Sequence, residues 1–421
     1  MKIRSWLKPA ISLSLIALLA PASSSGDSAA VHGVTASRDN VQQLISAAGN
    51  HPEQLMVAAL TAIRGGQLEN ATRIIDTLIA SKPNYRLAHL VKGDLLMAQV
   101  RPITAMGNAD GPTDKLNDLR LEAMRRLERY QAPPPVNEIP ANLLYLAEKQ
   151  TYAVVVDASR SRIFVYRNDG GTPKYITDFY VTIGKLGFGK SREGDQRSPV
   201  GVYFVTGKLP REQLDKTYGA QADLYGVGAW PLSYPNDWDR REGRTGHGIW
   251  LHGSPADTYS RAPQASNGCV VLTNPDMGTL ATYLTTGTPV VISPKVEWIS
   301  KEDWMMRRDA ARAELESWRK DWESLDTTRY LSHYAEQFTS GSLNLAQWRT
   351  QKAQVNASKR WVKVQLEEVS LFAYPTPTGA MLMANFVQNY QSDNLSNRMQ
   401  KRLYWNRSGS NWKIILEGAP T

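Results

Sequence analysis

The chain has 421 residues, of which 42% are hydrophobic and 21% are charged, a composition that excludes wholesale disorder and collagen-like repeats. Its length predicts about two to four domains. The net charge of +9 favours an anionic partner, such as nucleic acid, a membrane face or an acidic cell-wall polymer. The one cysteine excludes an internal disulfide framework and a Cys-rich metal site.

The N-terminal segment, residues 1–22, has the pattern of a secretory signal peptide. Positively charged residues precede a short apolar run at 9–20, and the run ends in an A-x-A-like cleavage site at 20–22. The run is shorter than the roughly 20 residues that a membrane span needs. We therefore expect export to the periplasm and no transmembrane span after cleavage, with an uncleaved membrane anchor as the alternative.

Residues 38–130 are expected to form an all-α helical module. Ala71, Ile74, Ile75 and Leu78 follow the i, i+3, i+4 spacing of an amphipathic helix. The module is weakly similar to one tetratricopeptide unit, which is too little for a full solenoid. A helical module without polar chemistry is typical of interaction surfaces, so a homodimer through this module is one expectation.

The sequence pattern changes from helical spacing to short β-rich runs after the prolines at 133–135. This proline run predicts a stiff linker over residues 131–149. Residues 150–295 contain short β-rich runs separated by clusters of Gly, Pro, Asn and Asp, which predicts a mostly β domain. Residues 300–421 begin with a helical pattern and continue as alternating strands, which predicts an α+β unit. The predicted architecture is therefore multidomain, with all-α, mostly β and α+β parts in chain order.

The reactive side chains of the central domain lie in two glycine-containing stretches, 246–253 (GHGIWLHG) and 266–271 (SNGCVV). A thiol needs a nearby base or cation to become a thiolate at neutral pH. A strand that carries His252 beside a loop that carries Cys269 would supply that pair. Taken together in an exported chain, these two residues predict nucleophilic catalysis.

The residues beside this pair add to the prediction. The carbonyl of Gly253 is placed to hold the imidazole in the required tautomer, and the N–H groups of Gly268 and Cys269 are candidates for stabilising an oxyanion. Considered singly, a free cysteine is more often a buried structural residue than a nucleophile, and a histidine more often makes a structural hydrogen bond than takes part in catalysis. His247 is a candidate substrate contact, with a satisfied strand-end histidine as the alternative. No dense ligand spacing surrounds Cys269, so no metal site is expected.

These motifs are similar to those of the L,D-transpeptidase family, whose catalytic domain has the YkuD fold, over residues 150–295. The strongest element is H-G followed by S-x-G-C, which here reads His252-Gly253 and Ser266-Asn267-Gly268-Cys269. The supporting stretches are VVVDASRSRIFVYR (154–167), TIGK (182–185), EGDQRSPVGVYF (193–204), YP (234–235) and GTPVVI (287–292). The resemblance implies a β-sandwich whose cysteine attacks the bond between an L-centre and a D-centre in peptidoglycan stem peptides, without a cofactor.

The resemblance also implies roles for individual residues. Cys269 would be the nucleophile and His252 its base, with the carbonyl of Gly253 orienting the imidazole. The residues that would shape the acyl pocket are Ser266, Asn267, Gly268 and Cys269.

Two positions depart from the family's usual S-H-G-C-x-R motif. Asn267 stands in place of the histidine, and Val271 stands in place of the arginine. Both replaced side chains lie beside the nucleophile, so the motif does not determine which acyl acceptor the enzyme uses. Arg261 is a candidate substrate-binding residue that would replace the missing charge, with a solvated loop arginine as the alternative.

The C-terminal region resembles the NTF2-like fold, and the domain order resembles that of the cell-shape L,D-carboxypeptidases of helical Gram-negative bacteria. The features behind this comparison are Trp318, Trp322, Tyr330, Phe338, Trp348, a Q-x-Y-x-S run at 388–392 and the closing segment 412–417. The curved sheet of such folds forms an apolar cup. One alternative is that the cup binds a glycan or a peptide. The other is that its aromatic side chains only form a core, as Trp and Tyr at strand spacing usually do.

Three functions follow from the sequence. The first is an L,D-transpeptidase, which is the family's default activity. The second is an L,D-carboxypeptidase that trims tetrapeptide stems to tripeptides and influences cell shape. The third is a non-catalytic wall-binding scaffold. In each case the expected partner is peptidoglycan, and nucleic acid is not expected.

Overall fold

The computed structural model describes residues 51–108, 112–377, 379–409 and 411–419. The predicted signal peptide and the first part of the predicted helical module, up to residue 50, lie outside these residues. Across the described part of the chain, no helix is both long enough and apolar enough to cross a membrane. The chain forms two compact units, which are described separately below.

The first unit is helical, as the sequence predicts. Its helices are α1 (Pro52–Arg64), α2 (Leu68–Ser81), α3 (Arg86–Met97) and α4 (Thr113–Gln131). Ile74, Ile75 and Leu78 of α2 are at most 1% exposed, so the side chains at helical spacing form the buried face of that helix. Gly66 turns the chain between α1 and α2 with φ of +72°, a conformation that favours glycine.

The helical unit also contains the short segment Asp257–Ala262, which lies between His252 and Cys269 in the sequence. The ring of Tyr259 packs on Tyr85 with 4.7 Å between centroids. Ser260 accepts a hydrogen bond from Arg126 at 2.5 Å and donates one to Glu122 at 2.8 Å. Arg126 is fully buried, and a buried charge is tolerated only with partners of this kind. A segment within the predicted catalytic domain therefore belongs to the helical core.

The second unit begins with the mostly β region that the sequence predicts. Its strands are β1 (Glu138–Pro140), β2 (Leu143–Tyr145), β3 (Tyr152–Asp157), β4 (Arg162–Asp169), β5 (Thr172–Tyr180), β6 (Ile183–Gly184), β7 (Gly201–Phe204), β8 (Leu209–Pro210), β9 (Gly228–Pro231), β10 (Trp250–His252), β11 (Gln264–Ser266), β12 (Val270–Val271), β13 (Pro289–Ser293) and β14 (Trp298–Ser300). Its helices are α5 (Arg211–Tyr218), α6 (Asp237–Arg241) and α7 (Asn274–Leu280), with 3-10 helices at Gly219–Tyr225 and Ala281–Tyr283. The residues predicted as a linker include β1 and β2.

The largest sheet of this region has the strand order β5-β4-β3-β13-β7 and is buried on both faces. Val154 and Val156 of β3 point into one core, and Ala153 and Val155 point into another. Because successive side chains of a strand alternate between faces, a strand buried on both sides becomes a continuous apolar run. This explains why β3 reads YAVVVD.

The second sheet has the order β12-β10-β9-β8 and carries the candidate catalytic residues. Leu251 of β10, Val270 of β12 and Trp230 of β9 pack into the same core as Val154. The two sheets therefore bury a common core between them, while the opposite face of β10 and β12 is available for a site.

The C-terminal part of this unit is the predicted α+β region. Its elements are α8 (Lys301–Glu323), α9 (Thr327–Ser332), β15 (Tyr334–Ser340), β16 (Leu343–Asn344), α10 (Leu345–Ala357), β17 (Val362–Ala373), β18 (Met381–Ser392), β19 (Ser396–Ser408) and β20 (Asn411–Gly418). The sheet order is β16-β15-β20-β19-β18-β17-β2. The predicted linker thus supplies the edge strand of the C-terminal sheet.

The central and C-terminal parts share a hydrophobic core. Val155 and Phe164 of the sheet β5-β4-β3-β13-β7 cluster with Phe372, Met383 and Tyr404 of the C-terminal sheet. The aromatic residues that predicted an NTF2-like cup are buried in a second cluster, namely Trp318, Trp322, Tyr330, Phe338 and Trp348. The five-stranded sheet therefore packs with one face on the C-terminal sheet and with the other on the sheet that carries the candidate site.

Candidate active site

The candidate nucleophile and base lie on adjacent strands. β10 pairs with β12 in parallel, with Leu251 opposite Val270 and His252 opposite Val271. Leu251 and Val270 point into the core, so His252 and the residue before β12, Cys269, point to the other face. His252 and Cys269 are diagonal neighbours in this register, a relation that lets side chains on adjacent strands interact.

The imidazole of His252 is buried and oriented by the backbone. His252 is only 5% exposed, and its Nδ1 lies 2.7 Å from the carbonyl oxygen of Gly253. A histidine that donates its Nδ1–H to a carbonyl presents Nε2 as the basic nitrogen. The structure thus places Gly253 as the sequence predicts.

The thiol of Cys269 is partly exposed and donates a hydrogen bond to the carbonyl of Gly248 at 3.3 Å. Tyr225 packs edge-on against the His252 ring with 5.3 Å between centroids. Burial raises the pKa of the Tyr225 phenol, and the negative charge of a Cys269 thiolate raises it further. Tyr225 therefore lies near both members of the pair. It belongs to none of the motifs that the sequence offered, so sequence reasoning missed it.

The turn that carries the nucleophile is held by hydroxyl groups. The Ser266 hydroxyl donates to the carbonyl of Cys269 at 2.7 Å and accepts from the Gly268 N–H at 3.1 Å. Ser198 donates to the carbonyl of Gly268 at 2.8 Å. Because the Gly268 N–H is already donated within the turn, a substrate oxyanion would have to displace the Ser266 oxygen from it.

The loop before β7 supports this turn. Asp195 accepts hydrogen bonds from Lys190 and from the N–H groups of Ser191, Arg192 and Arg197. Burial alone would raise the pKa of Asp195, but these bonds outweigh it and lower the pKa to about 2. The ionised Asp195 thus organises the stretch that presents the Arg197 carbonyl and the Ser198 hydroxyl to Gly268.

The other predicted site residues are more dispersed. Asn267 is exposed at the turn beside Cys269, and Val271 is buried in β12. The side chain of His247 is 82% exposed, and its Nδ1 lies 3.6 Å from Glu193. Arg261 belongs to the segment within the helical unit, so its predicted role in substrate binding stays a prediction.

Gly268→Ala is expected to disturb the nucleophile turn. Gly268 has φ of +121°, and a Cβ there would lie 2.8 Å from the carbonyl oxygen of Arg197. We expect a loss of about 1–3 kcal/mol in the free energy of unfolding from backbone strain, with further loss from the contact. Acylation of Cys269 should also slow, because the turn must move. Denaturant unfolding and acylation rates measure the two effects.

The matched control for this variant is Gly170→Ala, in the turn between β4 and β5. Gly170 has φ of +61°, but a Cβ there would meet no atom within 4 Å. This control carries backbone strain without the contact, so we expect a smaller loss of stability and unchanged acylation. Equal effects of the two substitutions on acylation would contradict the role assigned to the turn.

Comparison with known proteins identifies two domains of the chain and similar solved structures. Residues 151–292 match the model of the L,D-transpeptidase catalytic domain (YkuD), and residues 310–418 match that of the Cds6 C-terminal NTF2-like domain. Among solved structures, Bd1075 from Bdellovibrio bacteriovorus is 30% identical, with a TM-score of 0.58, covering 68% of this chain and 99% of its own. The helical cell shape determining protein Pgp2 from Campylobacter jejuni is 26% identical, with a TM-score of 0.55, covering 66% of this chain and 94% of its own. A search of curated protein sequences found no match.

A mostly β domain with a cysteine beside a backbone-oriented histidine defines a class of cysteine acyl-enzymes. Two findings identify the family within that class. Residues 151–292 match the model of the L,D-transpeptidase catalytic domain, and a 30% identical relative aligns over 99% of its own length. The chain belongs to the L,D-transpeptidase (YkuD) family, and it carries a C-terminal NTF2-like domain.

Proposed function

We propose that this protein is a periplasmic cysteine acyl-enzyme that remodels peptidoglycan by attacking the bond between an L-centre and a D-centre in stem peptides. The observation that carries the proposal is the β10–β12 pairing, which turns His252 and Cys269 to one face of adjacent strands. Family membership supports the substrate class. The predicted signal peptide at 1–22 supports the location.

The proposed reaction uses the pair in two proton transfers. Nε2 of His252 accepts the thiol proton, and the thiolate of Cys269 attacks the stem-peptide carbonyl. The C–N bond then breaks, the imidazolium returns its proton to the leaving amine, and the acyl group stays on sulfur as a thioester. The carbonyl of Gly253 holds Nδ1 and thereby keeps Nε2 directed at the reacting atoms.

The fate of the thioester distinguishes the candidate activities. Attack by an amine acceptor forms a new amide bond, which makes a cross-link, and this is the default activity of the family. Attack by water releases a trimmed stem instead. Two observations favour this second activity: Asn267 and Val271 replace polar or cationic motif residues, and the chain is similar to a protein that determines helical cell shape.

Incubation of the mature chain with tetrapeptide muropeptides tests the proposal. Muropeptide dimers indicate transpeptidation, and free tripeptide with D-alanine indicates carboxypeptidase activity. We expect one of these products from the wild-type chain and neither from Cys269→Ala. Sacculus binding without either product would contradict the proposal and favour the non-catalytic scaffold.

A further inference from the structure

Asn274, the first residue of α7, ties together two loops beside the candidate site. Its Oδ1 accepts hydrogen bonds from the N–H of Ser254 at 3.1 Å and from the N–H of Val227 at 3.2 Å. Its Nδ2 donates to the carbonyl of Ser254 at 2.9 Å. One side-chain amide thus makes three bonds to backbone groups that no strand ladder satisfies.

Two glycines make room for this amide. A Cβ at Gly226 would lie 2.1 Å from the Oδ1 of Asn274, and a Cβ at Gly253 would lie 2.2 Å from the same atom. Any other residue at either position would push the amide out of its place. The close approach explains why the residue after His252 is a glycine, apart from the use of its carbonyl.

The loops that Asn274 joins are the ones that surround the imidazole. Gly253 donates its N–H to the carbonyl of Tyr225 at 3.1 Å and offers its own carbonyl to Nδ1 of His252 at 2.7 Å. The ring of Tyr225 packs edge-on against the imidazole itself. The position of the Gly253 peptide therefore depends on the two loops staying together.

We propose that Asn274 is a positioning residue for His252, which acts by holding the Gly253 carbonyl and the Tyr225 ring against the imidazole. The proposal rests on the proposed function in that it takes His252 as the base for Cys269. Without the amide, the Gly253 carbonyl and the imidazole that it orients gain freedom. A displacement of about 1 Å at a reacting group costs on the order of a hundredfold in rate.

The test is the pH dependence of Cys269 alkylation by iodoacetamide, with single-turnover acylation by a tetrapeptide muropeptide, both in the full chain. For Asn274→Ala we expect a lower acylation rate, by about tenfold to a hundredfold, with an unchanged KM. We also expect the midpoint of alkylation to move towards that of a free cysteine, about 8.5. A merely structural role for Asn274 would move neither the midpoint nor the split between kcat and KM.

Asn236→Ala is the matched control. Asn236 is 2% exposed, and its side chain accepts from the N–H of Asp239 and donates to Val202 and Tyr374. It therefore loses as many hydrogen bonds as Asn274→Ala, and we expect a comparable loss of thermal stability without a change in the alkylation midpoint. The proposal is overturned if Asn274→Ala keeps the wild-type midpoint or if Asn236→Ala shifts it equally.

A second pair of variants keeps the test informative if Asn274→Ala fails to fold. Gly226→Ala places a Cβ 2.1 Å from the Oδ1 of Asn274, 2.5 Å from the Ser254 carbonyl oxygen to which the amide donates, and 2.9 Å from the carbonyl carbon of Gly253. A Cβ at Gly219, which has a similar φ of +55°, would meet no atom within 4 Å. We expect only Gly226→Ala to shift the alkylation midpoint, and equal midpoints would overturn the proposal. Alkylation requires no muropeptide, so failure of the wild-type chain to process muropeptides would count against the proposed function alone.

Discussion

Cys269→Ala is expected to abolish acyl-enzyme formation completely. The chain contains one cysteine, so no other thiol can take over as nucleophile. The substitution removes only a partly exposed sulfur whose hydrogen bond goes to the carbonyl of Gly248, and the core side chains of β10 and β12 are untouched. We therefore expect a folded protein without activity. Intact-mass spectrometry after incubation with a muropeptide or a carbapenem measures the covalent adduct directly.

Cys269→Ser is the accompanying control for this prediction. A serine hydroxyl keeps the size and polarity of the side chain, but it is a much weaker nucleophile than a thiolate. We expect an unchanged melting temperature and no adduct in either variant. Muropeptide turnover close to the wild-type rate in Cys269→Ala would disprove the assignment of the nucleophile.

His252→Ala is expected to slow acylation by about 10²–10⁴, which is the usual contribution of a general base. The imidazole is buried beside the nucleophile strand, and its Nδ1 is already held by Gly253, so Nε2 is the nitrogen left to accept the thiol proton. Residual activity should persist because a thiol ionises partly without a base, and it should rise with pH. Single-turnover acylation at several pH values measures the effect.

The matched control for the base is His89→Ala. The Nε2 of His89 also lies 2.7 Å from a backbone carbonyl, that of Pro83, but His89 is an exposed residue of α3 in the helical unit. We expect wild-type acylation from this variant. A His252→Ala variant that acylates as fast as His89→Ala would show that the imidazole does not act as the base.

The sequence was most informative where a local pattern has one structural solution. The run YAVVVD predicted a strand, and β3 proved to be buried on both faces. The glycine-containing stretches predicted that His252 and Cys269 come together, and the parallel register of β10 and β12 places them on one face. In both cases the alternation of side chains along a strand links the pattern to the fold.

Other features depend on contacts between segments that are distant in sequence. Tyr225 contacts the imidazole with its ring, and the side chain of Asn274 joins the neighbouring loops through hydrogen bonds to backbone N–H groups; neither contact leaves a local pattern in the sequence. The segment at 257–262 joins the helical core because Ser260 pairs with Arg126, and the proline-rich stretch gave no sign that strand β2 would pair with β17. Such pairings follow from tertiary packing, to which local propensity is only a weak guide.

The activation of Cys269 by His252 is tested most directly by comparing alkylation of the thiol across pH in the wild-type chain and in His252→Ala. If the imidazole generates the thiolate, the wild-type midpoint lies well below the value of about 8.5 for a free cysteine, and the variant returns to it. Superimposable profiles for the two proteins, both centred near that value, would contradict the account.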